Sequence, residues 1–141
     1  MTIDRARVHR GVSMNTPAYA MALQDGIIRV IFAKGTVITH DLIIAAIAEE
    51  NQCFDTSKLD AVWDFRGCLA PESFGYSEIE QIVQFIDLRI SRWSPRMAIL
   101  VDSTVQYGLS RMYQMFVEQF PTDVAVFYEE GPALAWISRC D

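Results

Sequence analysis

Lysine, histidine and paired cysteine are all scarce in this chain, and each scarcity closes off a class of function. The two lysines are Lys34 and Lys58, and neither follows the last apolar run. A receiver domain of the phospho-aspartate type needs a lysine there and a paired acid after an early strand, so that class is excluded. Gly67 and Gly75 do not fall in a Gly-x-x-x-x-Gly-Lys pattern, so no phosphate-cradling loop is expected either. The three cysteines, Cys53, Cys68 and Cys140, form no Cys-x-x-Cys pair, and His9 and His40 lie far from them in sequence. A structural zinc site takes four such ligands, usually in close pairs. No metal and no cofactor is therefore expected, and the thiols are read as free and mostly buried. Positive charge is short as well. A formal net charge of -6 argues against a nucleic-acid partner, which requires clustered Lys and Arg. No apolar run approaches the roughly 20 residues of a membrane-spanning helix. The opening Met-Thr-Ile-Asp-Arg has no apolar stretch of signal-peptide type, and a cytoplasmic location is expected.

What is present is a single domain's worth of alternating elements. With 51% hydrophobic and 21% charged residues, 141 residues suffice for one globular core. Residues 1–16 differ: Arg5, Arg7 and Arg10 outweigh Asp4, so this stretch carries +2 while residues 17–141 carry -8. It is read as a basic, flexible arm, with residues 17–141 as the domain. Two strands flank Asp25-Gly26, over Tyr19–Leu23 and Ile27–Lys34. Asp-Gly between apolar runs signals a type I′ hairpin, because both central residues need positive φ. Thr39 or Asp41 caps a first helix running to Glu50. Leu59–Phe65 is a third strand. Ser77-Glu-Ile-Glu80 reads as a capping box, followed by the amphipathic stripe Ile79, Ile82, Val83, Ile86 and Ile90, with Pro95 as the stop.

Met97–Val101 is the fourth strand. Ser103 and Gln106 repeat the capping-box spacing, and Leu109, Met112, Tyr113, Phe116 and Phe120 form the next stripe up to Pro121. Val124–Tyr128 is the fifth strand. Gly131-Pro132 opens a last helix whose inward face is Ala133, Trp136, Ile137 and Cys140. The order β-β-α-β-α-β-α-β-α implies an α/β fold: one five-stranded mixed, mainly parallel sheet with an N-terminal antiparallel hairpin and four helices.

Four segments carry a family resemblance: Leu59-Asp-Ala-Val-Trp-Asp-Phe-Arg66, Arg96-Met-Ala-Ile-Leu-Val-Asp102, Tyr107-Gly-Leu-Ser-Arg-Met-Tyr113 and Val126-Phe-Tyr-Glu-Glu-Gly-Pro-Ala-Leu-Ala-Trp-Ile137. They resemble the bacterial STAS/SpoIIAA-like proteins, similar in fold to anti-sigma-factor antagonists and, more distantly, to lipid-binding Sec14-type domains. The likeness spans roughly residues 19–137 in element order. It implies a binding or regulatory domain rather than an enzyme. Antagonist-type members carry a phosphorylatable serine in an Asp-Ser-Ser-Gly-like motif before the helix that follows the third strand. Here Ser73 and Ser77 are nearby, but that motif is absent.

The candidate site lies at the carboxyl ends of the parallel strands, where open α/β sheets bind ligands. Asp64 and Asp102 fall there. As a converging pair with Cys68 they would suit a small hydrolase or isomerase; as separate residues they are a turn and a cap. The long stretch from Arg66 to Tyr76 is a candidate lid or docking surface, through Arg66, Leu69, Ser73, Phe74 and Tyr76. Ser103, Tyr107 and Arg111 share the start of the following helix and form a candidate anion site. The resulting expectation is a non-enzymatic STAS-like domain. It would bind a protein partner or a small amphipathic, lipid-like ligand, and self-association as a homodimer is expected.

Overall fold

The computed structural model describes residues 3–10 and 18–139, and they form a mixed sheet with helices on both faces. Its strands lie in sequence order: β1 (Ile3–Arg10), β2 (Tyr19–Gln24), β3 (Ile27–Phe32), β4 (Asp60–Asp64), β5 (Arg96–Leu100) and β6 (Asp123–Phe127). The first three are antiparallel neighbours and the rest pair in parallel. Helices α1 (His40–Cys53), α2 (Tyr76–Arg89), α3 (Thr104–Phe116) and α4 (Glu130–Ser138) complete it. The expected α/β sheet, hairpin and four helices are all present. The sheet has one strand more than the five expected. Ile3–Arg10, read from sequence as part of an arm, adds to the edge of β2, with a register irregularity between Asp4 and His9. Backbone groups carry pairing at a sheet edge, so the scarcity of large apolar residues there did not reveal it.

Local signals account for most boundaries. Asp25 (φ 53°) and Gly26 (φ 78°) both take positive φ, as the β2–β3 turn requires. Thr39 Oγ1 accepts from the Leu42 amide at 3.2 Å, capping α1. Helix α2 begins earlier than its serine predicts. Gly75 is the cap, its amide donates to Glu78 Oε1 at 2.8 Å, and Ser77 lies inside the helix. The helix also ends at Arg89, well before Pro95. At α3, Ser103 Oγ accepts from the Gln106 amide at 3.1 Å as expected, but the Gln106 side chain reaches the Asp102 amide instead of that of Ser103. Arg96 closes the C-terminal end of α4, donating to the carbonyls of Trp136 and Ile137 at 3.3 and 3.1 Å, where a cation suits the helix dipole.

Strand alternation divides the core. Met21, Ile28, Val30, Phe32, Ala61, Trp63 and Ile99 face α1, α2 and α3. Val62, Ala98 and Leu100 face α4, through Ala133 and Ile137. The expected stripe of α2 is buried at Ile79, Ile82, Val83 and Ile86, each contributing about 1.5–3 kcal/mol when fully removed from water. On the α4 face Arg29 is buried and pairs with Glu130 at 2.7 Å. No helix among the described residues is long and apolar enough to cross a membrane.

Candidate functional site

The carboxyl ends of the parallel strands hold the residues singled out from sequence, but the structure occupies them with one another. Asp64 accepts three bonds from Arg66: from the amide and Nε at 3.0 Å each, and from Nη2 at 2.8 Å. Asp102 accepts from the Gly67 amide at 2.6 Å. Gln106 ties the same turn together, donating through Nε2 to the carbonyls of Phe65 and Cys68 while its Oε1 accepts from the Asp102 amide. The two acids thus act on separate groups of one loop. Cys68 is buried, and its Sγ lies 3.5 Å from the Ala33 carbonyl. Burial first, then the charges of Asp64 and Asp102, pushes its thiol up to about 11, the opposite of what a thiolate nucleophile needs.

The long loop splits between inside and outside. Phe74 is only 8% exposed and belongs to the core, whereas Leu69 is 58% exposed. Leu69 bonds through its backbone to Thr36 and Ile38, fixing the loop beside the segment that follows β3. Ser73 is exposed. Tyr76, also exposed, meets the edge of the Phe116 ring. Tyr107 stacks on Tyr128 with centroids 5.5 Å apart, Ser103 is engaged as the α3 cap, and Arg111 is exposed one turn on. The structure does not draw these residues into one pocket.

A concave feature lies elsewhere, between the sheet and helices α1–α3. It is a cavity of about 120 Å³, walled by Ala61, Trp63 and Ile99 of the sheet and by Ile47, Ile82 and Leu109 of the helices. A dry cavity of about 150 Å³ accepts a benzene molecule, so the space suits roughly one small ring. Phe74 is the one candidate site residue that lines it; Gln106, the residue that ties the neighbouring turn together, lines it as well. Its polar centre is Glu50, 7% exposed, whose Oε2 accepts from Trp63 Nε1 at 2.9 Å. Burial pushes the Glu50 carboxyl up to about 7, against the opposing pull of that bond. Tyr113 also lines the cavity. Burial and the nearby Glu50 charge raise its phenol well above the ordinary value, so it stays protonated.

Comparison with solved structures decides the fold. An uncharacterized protein of the DUF3478 family from Shewanella loihica PV-4, described as having a SpoIIAA-like fold, aligns with a TM-score of 0.50 over 92% of this chain and 90% of its own. This chain has a SpoIIAA-like fold. Sequence identity to that protein is 14%, so the likeness speaks to architecture alone. Comparisons with protein-family models and with curated proteins each return no match. In this SpoIIAA-like chain the polar groups of the cavity were the ones that sequence reading passed over. Glu50 reads there as the last residue of the first helix, and Tyr113 as one member of an apolar stripe. The available signal was an acid on the covered side of α1, in line with Ile43 and Ile47.

Proposed function

We propose that this SpoIIAA-like chain is a non-catalytic binding domain that takes a small amphipathic molecule into the cavity beneath α1, α2 and α3. The observation that carries this reading is a mostly apolar cavity with a buried carboxyl and a phenol in its wall, the usual make-up of a small-molecule site. The size supports a single ring or a short alkyl segment rather than a whole lipid. The engagement of Asp64 with Arg66, and of Asp102 with Gly67, supports assigning both acids to loop structure rather than to catalysis.

An NMR titration of the full chain with benzene, the plainest probe for such a space, tests this. Amides of cavity-wall residues such as Ala61, Ile82 and Ile99 are expected to shift. Ser110→Leu, which extends an aliphatic group from α3 into the lining, is expected to abolish the response. Saturating benzene with no shift at these wall positions would sink the reading.

A further inference from the structure

The apolar cavity is adjoined by an open cleft of about 450 Å³, where α1 and α2 come to their ends. Asn51, Ile90 and Arg92 line both spaces, so the two meet along these residues. They differ in character. The charged side chains of the cleft are Arg89 and Arg92, with Gln52 and Ser91 beside them and no acid in the lining. In a chain of net charge -6 this is a local reversal of sign. Arg92 is partly engaged: its Nη2 donates to the Asn51 carbonyl at 2.5 Å, and its Nη1 lies 3.8 Å from Asp55 Oδ1. Arg89 is exposed and takes no part in the ion pairs of the described residues. A second observation marks the same end of the cavity. Among the described residues, Thr56 Oγ1 is the one buried side-chain nitrogen or oxygen of the cavity wall without a partner, and Thr56 directly follows Asp55. Buried polar groups in folded proteins are almost always paired, so this end calls for a polar complement.

We infer that the cavity and the cleft form one site for a short-chain carboxylate, its alkyl segment in the cavity and its head group in the cleft against Arg89 and Arg92. The inference rests on the cavity reading above and gives the ligand its polar end. The planar fork of an arginine matches a carboxylate, and the contact is charge-assisted. Because Asp55 offsets part of Arg92, the cleft has little more than the charge of Arg89 to offer, which suits a head group of single charge. The Thr56 hydroxyl adds a donor at this end, and a carboxylate oxygen only accepts. The carboxyl ends of α1 and α2 would favour a cation, but the arginines already hold those positions, Arg92 on the Asn51 carbonyl itself. The reverse orientation would set the carboxylate beside Glu50, 7% exposed in an apolar wall, an expensive meeting of like charges.

The test is the affinity of the full chain for hexanoate, 1-hexanol and hexylamine, followed by NMR on the same wall residues and on the amides of Ile90 and Arg92. Hexanoate is expected to bind about fivefold more tightly than hexanol at low salt, the scale of a solvent-exposed charge contact. That preference is expected to fade near 1 M salt, where screening acts within about 3 Å. Arg89→Gln, at an exposed position, is expected to erase most of it while hexanol binding is retained. Arg89→Glu is expected to reverse it, with hexanoate weaker than hexanol. Equal affinity for hexanoate and hexanol, a preference unchanged by both variants, or tighter binding of hexylamine would overturn the inference and leave the cavity reading standing. So would failure of all three probes while benzene still shifts the wall amides. Failure of every probe, benzene included, would overturn both.

Discussion

Replacing Glu50 with glutamine should change how the stability of this protein depends on pH. Glu50 is held on α1 against Trp63, and burial raises its carboxyl from an ordinary value of 4.5 to about 7. A carboxyl raised in the folded state binds its proton more tightly there than in the unfolded chain. Between about pH 4.5 and 7 the unfolded state therefore carries fewer protons, and stability falls as pH rises. The contribution is fully present below the unfolded value and is lost as pH passes through the folded one. Raising the value from 4.5 to about 7 corresponds to about 3 kcal/mol, an order-of-magnitude figure. Glutamine has nearly the same shape, does not ionise and can still accept from Trp63 Nε1. Urea denaturation of the wild type and Glu50→Gln at pH 4, 5.5, 7 and 8.5 isolates the effect, because all other groups titrate alike in both. The stability of the variant relative to wild type is expected to improve by about 2–3 kcal/mol from pH 4 to pH 8.5. A flat difference across that range would show that Glu50 is not buried as described.

Two further outcomes follow from the loop that connects β4 to α2. Gln106→Ala removes three side-chain bonds to backbone groups of Phe65, Cys68 and Asp102, and should cost about 2–4 kcal/mol in urea denaturation; a change below about 0.5 kcal/mol would show that the tie is not structural. Phe74→Ala should cost about 3–5 kcal/mol, because the ring is buried in the core and lines the cavity. Leu69→Ala, five residues earlier but exposed, should stay within about 0.5 kcal/mol. Equal costs for these two would contradict the inside–outside division of the loop.

Much of the fold was legible because it rests on local physics. Asp25-Gly26 specified its hairpin, since positive φ at two successive positions is a property of the residues themselves. The stripe Ile79, Ile82, Val83 and Ile86 specified a helix and its buried side, since periodicity is read along the chain. The boundary of α2 was misread because Ser77 satisfies a capping pattern, whereas the helix starts two residues earlier at Gly75, whose amide donates to the Glu78 carboxylate. The candidate site was legible only in part. Asp64 and Asp102 were placed at the strand ends, where they lie, but spacing alone could not show that Arg66, read as a loop residue, takes up one acid and the Gly67 amide the other.

By itself, then, the sequence determined the α/β alternation, the hairpin turn and the faces that would be buried. Each depends on dihedral preference and apolar spacing within a dozen residues. Only the tertiary structure decided that Ile3–Arg10 joins the sheet, because edge pairing runs through backbone groups that carry no side-chain signature. Only the tertiary structure brought Glu50 of α1, Trp63 of β4 and Tyr113 of α3 to one cavity wall. Their meeting depends on how three helices settle on one face of a sheet, a matter of long-range packing that no local pattern encodes.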